Sequence, residues 1–273
     1  MEIVDRYKEI ASQEPDADLL ESASILKNEA REAANWEYFV KAALLEAKCQ
    51  ESFRDQEGAN ATLMEALQEE RMDNYNQIVS LIDALVAGLL RTEDYESLQS
   101  LLKRRERYLD AKKSYRVMQR FYQAVCEEGL GNTRTAIKCL EDVDDTLSNA
   151  NLTNKYLKLS MLHLEEKDLE ASRKALEKAI MFDPKKKNPL FKLVESDILM
   201  AEGDFNKAME VYQEYYLKAK NHNRYLDRFI RISMASGQLA EAAMFDEKNR
   251  EKADAMYSRK AKRAYFLALQ ELY

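Results

Sequence analysis

Residues 156–184 read YLKLSMLHLEEKDLEASRKALEKAIMFDP. Tyr156, Leu159 and Ser160 recur at helical spacing, Lys167-Asp168-Leu169 interrupts the run, and Ser172, Leu176 and Ala179 mark a second helix that stops at Pro184. Two helices joined by so short a turn lie antiparallel. The small residues Ser160, Ser172 and Ala179 let them cross closely, because packed helix axes stand about 8–10 Å apart and leave no room for bulk. The turn returns along the chain as Gly131-Asn132, Gly203-Asp204-Phe205 and Gly237-Gln238-Leu239. Positions 131, 167, 203 and 237 are 36, 36 and 34 residues apart, and Ala136, Ser172, Ala208 and Ala242 follow at the same offset. Such a period predicts stacked helical hairpins, each burying its apolar face only against its neighbours.

Outward from that unit, a 3.6-residue period continues in both directions and no alternating apolar segment calls for a strand. The reading gives an opening helix over 3–12, stopped before Pro15, and a second through residue 32 capped by Asp16 or Asp18. Hairpins are expected over 34–53 with 55–71, 73–91 with 93–108, 111–129 with 132–147, 151–166 with 168–182, 188–202 with 204–220 and 222–236 with 238–250. A last helix spans 252–273. The chain counts as one domain, 1–273: terminal helices at 1–33, repeats at 34–250, and a capping or connecting helix at 252–273.

Composition agrees. Six glycines and three prolines in 273 residues are far below the roughly 19 and 14 of average usage, as expected of helix nearly throughout. Gly129, Gly131, Gly203 and Gly237 fall where the frame places turns. A net charge of −7 gives no basic field for nucleic acid. Cys49, Cys126 and Cys139 are odd in number and scattered, which fits a reducing, cytoplasmic setting. The start, MEIVDRYKEI, lacks the apolar core of a secretory signal, and no stretch approaches the ~18 apolar residues of a membrane span.

The run 156–184 resembles the tetratricopeptide repeat, with a large-small pattern on its first helix, small residues on its second and a terminal proline; His163 and Leu169 replace the usual aromatics. Ser196, Gly203-Asp204-Phe205, Ala208 and Tyr212 match it too, although Tyr215 stands where an alanine is usual. Ala124, Gly131-Asn132, Ala136 and Leu140 keep the core of the pattern. Ala47, Ala59, Leu63 and Ala66 keep its spacing without the turn glycine, and the unit around Asp94-Tyr95, Leu98 and Leu102 keeps least. The resemblance covers about 34–250 and is specific from about 118. It implies an all-α, right-handed solenoid of about six antiparallel hairpins plus terminal helices.

No residue constellation points to catalysis, a cofactor or a metal. His163 and His222 are the only histidines, and neither stands in a ligand spacing. Gly129-Leu130-Gly131 joins two helices with no preceding strand, so it is no phosphate loop. Lys103-Arg104-Arg105 with Arg107, and Lys185-Lys186-Lys187, lie at helix ends where cations complement the dipole. Arg259, Lys260, Lys262 and Arg263 stand on the final helix beside Tyr265, Phe266, Leu269 and Leu272. That helix is read as a cap, or as a connection cut by the boundary of a longer chain. Trp36-Glu37-Tyr38-Phe39 is expected to pack the first hairpin.

Repeat proteins of this kind hold extended peptides or helices in the groove of their first helices. The frame projects Lys41, Lys48, Phe121, Val125, Asp197, Met200, Arg224, Asp227, Arg231 and Met234 toward it. Arg224, Asp227 and Arg231 share one helix face, where two guanidinium groups would clamp a carboxylate or form a solvated ladder. The expectation is a non-enzymatic scaffold for a protein or peptide, acting as a sensory or regulatory module. Two alternatives stay open: the sensor region of a nucleotide-cyclase-type signalling enzyme continuing beyond residue 273, and a structural adaptor. Homodimerisation through the last helix is compatible with each.

Overall fold

The computed structural model of the chain describes residues 2–111, 113–143, 147–219, 225–255 and 259–273, with the side chains of 109–115 and 117 left aside. Within them the backbone is helical and forms no strand. The helices are α1 (Ile3–Ile10), α2 (Ala17–Glu32), α3 (Trp36–Ser52), α4 (Gln56–Leu67), α5 (Tyr75–Thr92), α6 (Tyr95–Arg105), α7 (Lys113–Gly129), α8 (Thr133–Glu141), α9 (Asn149–Glu165), α10 (Leu169–Phe182), α11 (Leu190–Glu202), α12 (Phe205–Lys218), α13 (Leu226–Ala235), α14 (Leu239–Asp254) and α15 (Arg259–Leu272). A 3-10 segment, Glu106–Ala111, follows α6. The hairpin reading therefore holds, with α4 and α8 stopping several residues short of their expected ends. The chain divides into two compact units, Met1–Arg116 and Val117–Tyr273.

One turn builds the hairpins. A residue in the left-handed region is followed by a helix N-cap: Ala34-Asn35, Arg54-Asp55, Glu93-Asp94, Gly131-Asn132, Lys167-Asp168, Gly203-Asp204 and Gly237-Gln238. At each, the N-cap N–H reaches back five residues to a carbonyl of the preceding helix, as Asn35 does to Ala30 at 2.8 Å and Asp204 to Leu199 at 3.0 Å. This Schellman geometry satisfies carbonyls the helix end would otherwise orphan. The cap carboxylate then accepts from the N–H three residues on, Asp168 from Ala171 at 2.9 Å and Asp55 from Gly58 at 2.8 Å, which supports the next helix. In the first half non-glycine residues take the left-handed position, so the glycine signal fades while the turn persists.

Three buried rows are set by the turn. Seven residues before the left-handed residue stand Lys27, Ala47, Val86, Ala124, Ser160, Ser196 and Ile230; five residues after it stand Phe39, Ala59, Leu98, Ala136, Ser172, Ala208 and Ala242; twelve after it stand Glu46, Ala66, Arg105, Val143, Ala179, Tyr215 and Asn249. Every one is buried. The polar members are partnered, as burial demands. Ser160 and Ser196 donate to the carbonyls of Ser172 and Ala208, each at 2.9 Å.

In unit 1, α2 packs on α3 more extensively than α3 does on α4. Here Lys27 replaces the small residue and meets Glu46 of the third row at 3.0 Å, both side chains under a tenth exposed. An ion pair thus occupies the crossing that small residues make elsewhere. Trp36 stands edge-on to Phe39 at 5.9 Å and carries Arg71 over its ring at 4.9 Å. In unit 2, Phe191, Val194, Leu157 and Leu162 join Ala124, Ala136 and Ala179 in one core cluster, and Tyr212, Leu193 and Ile232 in the next. Leu226 and Ile230 of α13 are covered by Tyr265, Ala268 and Leu269 of α15.

Candidate binding surface

The first helices of the hairpins in unit 2 are α7, α9, α11 and α13. Three residues before each turn residue stand Glu128, Leu164, Met200 and Met234, and six before it stand Val125, Met161, Asp197 and Arg231. All eight are half-buried, which is what side chains at the edge of a packed interface show. Of the residues the frame projected, Val125, Asp197, Met200, Arg231 and Met234 fall in these two rows. Phe121 lies one turn before Val125 and packs on the core. Asp227 is buried beneath Arg231. Lys41 and Lys48 belong to unit 1: Lys48 is exposed, and Lys41 pairs with Glu37 at 2.6 Å over the ring of Tyr38. Arg224 and His222 lie outside the described residues.

Two series of ion pairs, each ending on α15, join these helices. Glu128 of α7 pairs with Lys158 of α9, Asp197 of α11 with Arg228 of α13 at 2.9 Å, and Arg228 also with Asp227 at 2.8 Å. Arg231 lies 3.6 Å from Asp227 and 3.9 Å from Glu271 of α15. Lys260, at the other end of α15, reaches Glu128 at 3.2 Å and Glu165 of α9 at 3.9 Å. Burial pushes the Glu128 carboxyl up, but Lys158 and Lys260 pull it below the usual carboxylate range. At Asp197 burial wins over Arg228, helped by the neighbouring Asp227 and Glu165, and the carboxyl sits above its usual value. The paired Asp197, with burial working against it, holds Arg228 firmly charged.

Sequence reasoning did not single out Glu128, Lys158, Glu165 or Arg228. The row arithmetic would have found Glu128, since it shares the register of Met200 and Met234. Arg228 and Lys158 share a register nine residues before their turns, but the buried Val194 occupies it in α11, so no repeat signal marks it.

Among the described residues no group of histidine, cysteine, aspartate and glutamate side chains is arranged to hold a metal, and no helix is long and apolar enough to cross a membrane. Among the described residues the cysteines form no disulfide, and burial raises the Cys126 thiol to about 11. Unit 1 has an open apolar cleft of about 460 Å³ between α4, α5 and α6, lined by Met64, Leu67, Leu85, Leu89 and Leu101, where Arg104 donates to the Leu67 carbonyl at 2.8 Å.

This geometry is that of tetratricopeptide-repeat proteins. The chain is similar to Pseudomonas aeruginosa PilF over 87% of its own length and 99% of that chain, with a TM-score of 0.52 and 14% identity. It is similar to a tetratricopeptide repeat protein from Parabacteroides merdae over 85% and 91%, TM-score 0.53, identity 12%. It also resembles a signal-transduction ATPase with numerous domains from Pyrococcus horikoshii, one with a tetratricopeptide repeat sensor: TM-score 0.50, identity 15%, covering 99% of this chain and 42% of that one. No protein-family model and no curated protein matches the sequence.

Proposed function

We propose that the chain is a protein-binding scaffold that takes a peptide or helix on the face of α7, α9, α11 and α13. The observation that carries this reading is the pair of half-buried rows, Glu128, Leu164, Met200, Met234 and Val125, Met161, Asp197, Arg231. They combine apolar anchors with fixed charges, the mixture that orients an amphipathic partner. The buried thiols suit a reducing compartment such as the cytoplasm. A sensory or regulatory role is the finer form of the proposal, and the tetratricopeptide sensor of the Pyrococcus ATPase is its precedent on the same fold.

The test is affinity capture with the intact chain. Met200→Glu places a charge in the row and should release captured proteins, whereas Glu210→Lys, at an exposed position of α12, should retain them. Capture that ignores Met200→Glu while the fold is intact would remove this face from consideration.

A further inference from the structure

The last helix does more than close the final hairpin. Its Tyr265, Ala268 and Leu269 cover Leu226 and Ile230 of α13, as a cap would. Its first turn, however, is tied to helices far back in the unit: Lys260 bonds Glu128, 132 residues away, at 3.2 Å, and approaches Glu165 at 3.9 Å. Glu128 is half-buried, with 12% of its side chain exposed, and it shares the helix face of Val125 and Phe121. At the far end Glu271 answers Arg231. The helix thus runs between the two ends of the face proposed for binding, with a cation at its start on the acids of α7 and α9 and a carboxylate at its end on the arginine of α13, while its apolar stripe buries Leu226 and Ile230 with Met234 of the face packed alongside.

From this seating, and resting on the scaffold reading above, we infer that α15 is an internal ligand. The face takes a partner's amphipathic helix of the same chemistry, with a lysine in its first turn, tyrosine and leucine along one side and a carboxylate near its end. The partner displaces α15 from this seat. The ties at its two ends are half-exposed pairs, with Lys260 at 54% and Glu271 at 58%, and exposed pairs are weak individually. What holds α15 is mainly its buried Tyr265, Ala268 and Leu269, and a partner wins where its contacts exceed these by enough to offset the effective concentration of a tethered helix.

The experiment uses the full chain and a labelled peptide of its own residues 259–273, RKAKRAYFLALQELY. Lys260→Glu sets an acid against Glu128 and Glu165, so the variant chain should bind the peptide at least tenfold more tightly than the unaltered chain. A peptide carrying the same change should bind at least tenfold more weakly. If Lys260→Glu does not fold by circular dichroism, Glu271→Lys loosens the other end and should give the same gain. Equal binding by all chains, or none, overturns the inference. So does dimerisation of the variant that excludes the peptide, which would give the seat to a second copy. In capture, excess peptide should release the proteins that Met200→Glu releases. Release by Met200→Glu but not by peptide would overturn α15 as internal ligand and leave the scaffold standing; no release by either would remove the scaffold face itself.

Discussion

Ser160 and Ser172 meet where α9 crosses α10, their hydroxyl oxygens 2.8 Å apart, with the Ser160 hydroxyl donating to the Ser172 carbonyl at 2.9 Å. Both residues are fully buried, so with the Ser160 proton on the carbonyl, the Ser172 hydroxyl takes the Ser160 oxygen as its acceptor. Ser160→Ala should cost about 1 kcal/mol or more, because it leaves the Ser172 hydroxyl without its acceptor. The double alanine variant should recover part of that loss. Urea unfolding of the single and double variants gives the coupling, and strict additivity would show that the hydroxyls do not act as a pair.

At the next crossing Ser196 donates to the carbonyl of Ala208, whose own side chain is fully buried. Ala208→Leu forces a branched side chain into that contact and should cost roughly 1–3 kcal/mol. An unchanged melting temperature would mean that α11 and α12 do not pack closely there.

Lys167 and Gly203 occupy equivalent left-handed positions, at φ 62° and 82°. Lys167→Gly removes a Cβ that this conformation tolerates poorly and should stabilise by up to about 1 kcal/mol. Gly203→Ala should lose a similar amount, and by backbone strain alone, since an added Cβ would meet nothing within 4 Å. Thermal melts of the two variants should shift in opposite directions.

Glu69 accepts from Arg71 at 2.7 Å and Arg31 at 2.9 Å, and the Arg71 bonds lead in drawing its carboxyl down to about 2. The unfolded chain, with an ordinary carboxylate, binds the proton first as pH falls. This group's contribution is therefore intact above about pH 5 and is lost progressively toward pH 2. Melting of unit 1 should drop across that window, and Glu69→Gln should flatten the drop. An unaltered slope would place the acid sensitivity elsewhere.

Arg228 is the only link between Asp197 and α13 among the described ion pairs, and it also neutralises the buried Asp227. Arg228→Leu leaves two carboxylates close together in a poorly hydrated place and should destabilise by about 2–3 kcal/mol, nearer the cost of breaking a buried pair than a surface one. Adding Asp197→Asn should restore part of the loss. A cost under ~0.5 kcal/mol would mark the pair as solvated.

The hairpins were legible because turn chemistry and small-residue spacing act locally: Gly131, Gly203 and Gly237 supply left-handed backbone, and Asp168 and Asp204 cap the second helix of each pair. The pairing of α2 with α3 was not, because Ala34 fills the turn position that glycine marks elsewhere, and because Lys27 and Glu46 make with opposite charges a crossing made elsewhere with small side chains. Five of the ten projected groove residues fall in the two half-buried rows of unit 2. Phe121 lies one turn before Val125, Asp227 is buried, Lys41 and Lys48 belong to unit 1, and Arg224 falls outside the described residues.

By itself the sequence determined that this protein is helical, where its hairpin turns fall, and which small residues face each other. Those properties depend on neighbours within about 40 residues, a range over which period and turn residues carry the information. Only the tertiary structure decided that Lys260 finds Glu128 and that Glu271 meets Arg231. Neither pair leaves a periodic trace, since a charge pairs with whatever opposite charge the stacking of several hairpins carries to within about 4 Å.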